Sequence, residues 1–261
     1  MKLVEPNVFL IGETRIVEEG LQAYLDYVGA PEWTSDAPTD VERVIEVMGR
    51  LCYRSWKPGM NPNVTKVRKE NAKYIGNILE VKHGSVIEHP VINFIFADVS
   101  RVFTHELVRH RPGVAISQES LRFVRLDGLG QWLPTVIRED EGAVEIFAET
   151  FKELESLQVE LARHFKLDDP GVPMHKKKVI TSAMRRIAPI GLATTIGWSA
   201  NPRTIRWVLE MRTEPTAEEE IRLVFGKVGE MVTKRYPNLF GDYTIEMVDG
   251  LPWYKTEHRK V

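Results

Sequence analysis

"HPVINFIFADVSRVFTHELVRHRPG", residues 89 to 113, changes its period part-way along. Ile92, Phe94 and Phe96 alternate with Val91, Asn93 and Ile95, and a period of two is the pattern of a strand with one buried face. From about Ser100 to Val108 the spacing predicts a helix, stopped by Pro112-Gly113 because a proline disfavours helical geometry in the residue before it. A strand thus feeds a helix that ends in Arg109, His110 and Arg111. A zinc-protease reading of His105-Glu106 fails on geometry. His110 lies five residues beyond His105, roughly 140° around a helix, so the two cannot share a metal. His83 and His89 do not have a metal-ligand spacing either, and no metal site is expected.

The same reading extends in both directions. Val41, Val44, Ile45, Val47 and Met48 predict a helix to about Cys52, behind a cap-like Thr39 or Asp40, and Asn71 to Val81 reads as another. "WKPGMNPN" between them is a loop. "SLRFVRL" (120–126) reads as a short strand. Residues 139–165 form a long amphipathic helix with Val144, Ile146, Phe147, Phe151, Leu154, Leu157 and Leu161 as its apolar stripe. Met174 to Arg186 is helical, and "PIGLATTIGWSA" (189–200) is β-branched and apolar, as a buried strand requires. Asn201-Pro202 pairs an N-cap with a proline at the first helical position, opening a helix to about Arg212. A capping box from Thr216 to Glu219 then starts a helix whose core row is Ile221, Val224, Phe225, Val228 and Val232.

The chain of 261 residues is 43% hydrophobic, enough for a substantial core. Neither a repeat nor a linker interrupts it, so a single α/β domain of α+β character is expected over 1–261. Consecutive βαβ units are not evident, which argues against a doubly wound parallel sheet. Lys and Arg number 35 against 37 Asp and Glu, a net charge of −2. No global positive field draws nucleic acid, so any anion site must be local. Cys52 is the lone cysteine and is expected to be a small buried hydrophobe. No window reaches the ~20 apolar residues of a membrane span, and no secretory core develops near the start. A soluble, cytoplasmic protein is expected. Neither a Walker loop nor a Gly-rich dinucleotide fingerprint follows a predicted strand, so a nucleotide cofactor would be held by side chains.

Cations gather at three places: Arg109-His110-Arg111 with Arg122 close behind, Arg185-Arg186, and the late helix with Asn201, Arg203, Arg206 and Arg212. Arginine offers a planar fork that matches phosphate oxygens and keeps its charge in a pocket. Helix C-termini also attract such residues through the macrodipole, so Arg109-His110-Arg111 alone reads first as end-capping and Arg185-Arg186 alone as a solvated helix end.

In combination they do more. "RHRPGVAISQESLRF" (109–123) resembles the signature of the flavin-dependent thymidylate synthases, Arg-His-Arg followed by a Ser-x-Arg-aromatic ending. "HGSVIEH" (83–89), "RRIAP" (185–189) and "NPRTIRWVLEMR" (201–212) are similar to three further segments of that family, in the same order. The resemblance implies that family's fold, a central mixed or antiparallel sheet flanked by long helices, in a homotetramer with shared active sites. It also implies FAD as cofactor, with methylenetetrahydrofolate and NADPH as co-substrates, in C5 methylation of dUMP.

Residue by residue, the resemblance implies that Arg109, His110 and Arg111 contact FAD, with Ser85, Gln118, Asn201, Arg203 and Trp207 also on the cofactor. The pyrimidine nucleotide would be held by Glu106, Arg109, Gln118, Ser120 and Arg122, with Arg185 on its phosphate. Arg212 would sit against the uracil and favour ionisation at N3, as the catalytic residue. No enzymic thiol is needed, so Cys52 stands aside. Three departures from the family pattern are visible. Eight residues rather than seven separate Arg111 from Ser120, Glu106 replaces a glutamine, and Trp207 replaces an Asn or His. They keep open UMP or another pyrimidine nucleotide as substrate, and hydroxymethylation as outcome. A catalytically silent nucleotide- or RNA-phosphate-binding protein is the reading from another class.

Overall fold

Ser100 is where strand becomes helix. Its hydroxyl accepts the Phe103 N–H, satisfying one of the unpaired donors of the first turn. The computed structural model describes residues 2–122, 128 and 130–259. In chain order these form β1 (Lys2–Leu3), β2 (Asn7–Glu13), α1 (Glu18–Tyr27), α2 (Asp40–Tyr53), α3 (Asn71–Glu80), β3 (Ile92–Ser100), α4 (Arg101–Leu107), β4 (Val114–Gln118) and β5 (Gly130–Gln131). There follow α5 (Thr135–Arg138), α6 (Glu141–His164), α7 (Met174–Met184), β6 (Ala193–Ala200), α8 (Pro202–Thr213), α9 (Glu219–Arg235), α10 (Pro237–Phe240), β7 (Thr244–Val248) and β8 (Leu251–Lys255). Short 3-10 turns occupy Gly84–Glu88 and Arg185–Ile187.

Four strands make the main sheet in the order β2-β3-β6-β4. The pairings are antiparallel. Thr14, just past β2, bonds to Val91 just before β3; Asn93 near the start of β3 bonds to Ser199 near the end of β6; and Asn201 past β6 donates to Gly113 before β4. The fold is α/β with an antiparallel central sheet and long helices, as expected. A parallel pair, β1 with β5, and the antiparallel hairpin β7-β8 form two smaller sheets.

Contacts divide the chain into two compact units, Met1–Phe9 with Ile95–Arg109 and Ile116–Gly197, and Leu10–Phe94 with His110–Ala115 and Trp198–Val261. In the first, Phe103 meets Phe96 edge to face, and Ala162, Leu167, Ile180 and Met184 join α6 to α7. In the second, Trp198 lies between Phe94 and Phe225, while Ile205, Val208 and Leu209 of α8 are fully buried along with Ile221, Val224, Phe225, Val228 and Val232 of α9. Gly229 on α9 sits against Tyr254 of β8 so closely that an added Cβ would come within 2.4 Å of the ring.

Several expectations are corrected. Ile146 and Leu157 of the α6 stripe are exposed, because the buried face is the one shared by Phe151 and Ala162, and at about 100° per residue both lie well over 90° around the helix from Phe151. Glu218 caps α9, its carboxylate accepting the Glu220 and Ile221 N–H groups, whereas Thr216 bonds to Glu214. Cys52 is exposed at the end of α2. Residues 120–122 of the expected strand are not extended; 123–126 lie outside the described residues. Strand β6 starts at Ala193, since Ile190 and Gly191 lie in a turn and Leu192 makes only an isolated antiparallel bridge to Gln131. The strand pairing with it, β4, was not foreseen. Among the described residues no helix is long and apolar enough to cross a membrane.

Candidate active site

The helix α8 carries the arginines of the third cluster, and its start is built by its sequence. Asn201 Oδ1 accepts the Thr204 N–H at 2.9 Å, and Pro202 at the first turn lacks the donor that would go unpaired there. The turn after His110 is tied to the same place. Thr204 Oγ1 donates to the Pro112 carbonyl at 2.7 Å, and the Asn201 N–H to that of Gly113 at 3.2 Å. Gly113 has φ +68°, and a Cβ there would meet Asn201 Nδ2 at 2.3 Å and Thr204 Oγ1 at 2.7 Å. Only glycine fits so tight a seam in that backbone geometry.

At the other end of α8, Arg212 Nε donates to His110 Nε2 at 2.6 Å. His110 is only 3% exposed, and the edge of its ring meets Trp207 with centroids 4.9 Å apart. Burial, with the Arg212 charge beside it, lowers the His110 pKa to about 4, so the imidazole is neutral near pH 7. Because a guanidinium stays protonated, Nε2 must be the lone-pair nitrogen and Nδ1 must carry the proton. That Nδ1 is buried and has no hydrogen-bond partner among the described residues. It is a donor in need of an acceptor.

Arg203 pairs with Glu88 and packs flat on Gly84, beside the exposed Ser85 of the same 3-10 turn. Arg111 is exposed. Hence Ser85, His110, Arg111, Asn201, Arg203, Trp207 and Arg212 fall in one compact unit.

Glu106, Arg109, Gln118, Ser120, Arg122 and Arg185 fall in the other. Gln118 Nε2 reaches Thr104 Oγ1 at 3.3 Å, and Ser120 Oγ accepts the Arg122 N–H at 3.3 Å. The Arg122 carbonyl accepts the Thr181 hydroxyl, which draws the loop after β4 toward α7. Arg109 and Arg185 are exposed, and Glu106 is half-buried. Arg185 lines an open cavity of about 840 Å³ with Leu121, Lys152, Arg163 and Met184. Two residues here were not foreseen. Arg101, half-buried, has its pKa lowered by burial and by the nearby Arg185 charge, with Glu119 opposing. Glu119 both donates to and accepts from the Thr195 backbone, its carboxylate taking the Thr195 N–H at 2.9 Å. A helix-start arginine with no patterned partner offered no sequence signal for the first. For the second, the signal was the alternation of Val114, Ile116 and Gln118 leading into it.

A family model described as "Thymidylate synthase complementing protein" matches residues 35–238. The flavin-dependent thymidylate synthase of Corynebacterium glutamicum is 35% identical over 223 residues, covering 84% of this chain and 86% of its own. The chain belongs to the flavin-dependent thymidylate synthase family. Similar folds occur in thymidylate synthase X of Helicobacter pylori, solved with FAD and dUMP (18% identity, TM-score 0.57, covering 91% of this chain and 98% of that one). A UMP/dUMP methylase, PolB of Streptomyces cacaoi, bound with 5-Br dUMP, is similar too (14% identity, TM-score 0.63, 92% and 96%). As a thymidylate synthase family member, the chain keeps every candidate site residue within the matched span, while β1, β2, α1 and the β7-β8 hairpin lie outside it. The residues present suit a flavin nucleotide: a buried donor at His110 Nδ1 that has no partner among the described residues, free for a carbonyl or ring nitrogen, an indole beside it, and exposed guanidiniums for phosphate.

Proposed function

We propose that this thymidylate synthase methylates dUMP at uracil C5 with FAD as cofactor, methylenetetrahydrofolate as one-carbon donor and NADPH as reductant. The observation that carries the reading is Arg212 bonded through Nε to a buried neutral histidine whose other nitrogen is a donor with no partner among the described residues. FAD, when bound, supplies the reducing equivalents, so the protein's task is binding, orientation and charge. Arg212 lies against the uracil and stabilises the anion formed when N3 loses its proton, a role suited to a cation that cannot neutralise itself. His110, Arg109, Arg111, Ser85, Gln118, Asn201, Arg203 and Trp207 line the cofactor. Ser120, Arg122 and Arg185 hold the nucleotide, with Arg185 on the phosphate and Arg101 adding positive charge behind it. The whole of residues 1–261 acts as one catalytic domain, and four copies assemble into a homotetramer whose sites are shared between protomers.

Glu106 favours a second reading, UMP as the nucleotide. A carboxylate beside a nucleotide is tolerated when it accepts from a ribose hydroxyl, and UMP has one more such donor than dUMP. The test is release of deuterium from C5-deuterated dUMP and UMP by purified protein with FAD, NADPH and methylenetetrahydrofolate, with the product identified by mass. Faster release from dUMP and a methyl product are expected. Selective release from UMP, or a hydroxymethyl product, would replace the first reading with its relative, and no release from either nucleotide would reject both.

A further inference from the structure

We propose that His110 is the positioning residue of Arg212: its Nε2 lone pair takes the Arg212 Nε–H and thereby sets the plane in which the guanidinium meets the pyrimidine. The proposal rests on the function given above for Arg212. An arginine side chain ends in several freely turning bonds, and its planar head is directed only where something fixes one of its nitrogens. Nε lies in the guanidinium plane, so a single bond to it, here 2.6 Å long, fixes the plane's orientation.

His110 can serve as that anchor because it is itself held. Its ring is 3% exposed and lies edge-on to Trp207, one α8 residue, while it accepts from Arg212, another. The turn that follows it is bonded to the first residues of the same helix, Thr204 to the Pro112 carbonyl and Asn201 to that of Gly113. Helix α8, the turn and the imidazole close a loop of contacts that begins at Asn201 and ends at Arg212. The arrangement works only with an unprotonated Nε2, since a proton there would face the Arg212 N–H head-on. The tautomer is therefore fixed, and the Nδ1–H is left pointing away from Arg212.

Two measurements test this. In the protein without added cofactor or substrate, 15N spectra of ring-labelled histidine at neutral pH should show His110 with the proton on Nδ1 and Nε2 bare. The opposite tautomer would overturn the pairing, whatever the reaction proves to be. In the loaded enzyme, His110→Ala should lower kcat for deuterium release by about 100-fold, the scale of a misplacement near 1 Å. His110→Gln, whose side-chain oxygen can accept from Arg212, should recover to within about tenfold of the native enzyme. At saturating FAD, which makes up for any loss of the His110 contact to the cofactor, adding His110→Ala to Arg212→Ala should cost no more than about twofold further in kcat, because a residue acting through another has no effect once that other is gone. Losses that multiply in the double variant would overturn the proposal, as would a glutamine variant no better than alanine. Failure of the native enzyme to release deuterium from either nucleotide rejects the function instead, a result distinguishable from all of these.

Discussion

His110 lends the protein a pH dependence of its own. An unfolded histidine takes up its proton near pH 6.5, while the folded one, desolvated and facing Arg212, holds off until about pH 4. Between those values the unfolded chain binds the extra proton, so stability falls as the pH drops through that window and levels off below it. With each pKa unit worth about 1.4 kcal/mol, the loss reaches at most about 3.5 kcal/mol. Urea denaturation of the native protein and His110→Gln at pH 7 and pH 4.5 isolates this contribution, since all other titrations are common to both. The stability difference between them should shift toward the variant on acidification, and a pH-independent difference would mean the imidazole is not buried in its neutral form. Gly113 is the other single residue on which the site turns. Gly113→Ala should cost about 2 kcal/mol or more, combining a positive φ with a Cβ driven into Asn201 and Thr204. The same denaturation assay reads it, and a loss below 0.5 kcal/mol, on the order of an ordinary surface change, would show that the seam yields.

At the scale of elements, α8 is clamped from the side away from His110. Arg206, 1% exposed, makes two 2.7 Å bonds to Asp242, donates to the Leu239 carbonyl and lies over the Tyr243 ring. Burial alone would raise the Asp242 pKa, yet the Arg206 bonds and the Thr256 hydroxyl hold it below the usual range. Asp242→Ala should cost about 3–5 kcal/mol, because it leaves a buried guanidinium unpaired, and adding Arg206→Met should restore much of that. A double variant as unstable as the single one in thermal melts would count against the pairing as the cause. Arg206 was grouped with the ligand-binding arginines by sequence alone, since nothing in "NPRTIRWVLEMR" tells an arginine that serves the fold from one that serves a ligand. Helices α2, α3, α6 and α9 and strand β3 were legible because each spans enough residues to display a period. β1 and β5, two residues each and paired across the chain, display none. The β7-β8 hairpin did carry a signal: Asp249-Gly250, both with positive φ, is the two-residue turn that such hairpins favour, between runs with alternating apolar residues. The 102-residue separation between His110 and Arg212 left their bond without any local pattern in the sequence.

For the whole molecule, the motif order carried what local periodicity could not, because the four segments are separated along the chain yet follow one another in the order of a single family. Arg185 and Arg212 stand in different compact units, and the proposal places both on one nucleotide within a shared-site homotetramer. Each should reduce turnover sharply, Arg185→Ala through the phosphate and Arg212→Ala through the uracil. The two variants, each with only residual turnover alone, provide a test of where a site draws its residues. Where a site takes Arg185 from one protomer and Arg212 from another, random co-assembly of equal amounts leaves each position intact with probability one half. About a quarter of the sites should then be whole, and co-expressed, differently tagged chains purified through both tags should show about that share of native turnover. Sites that take both arginines from one chain would remain at that residual level in every mixture. A monomer by light scattering would remove the basis for sharing altogether, and with it this account of how two distant arginines meet one substrate.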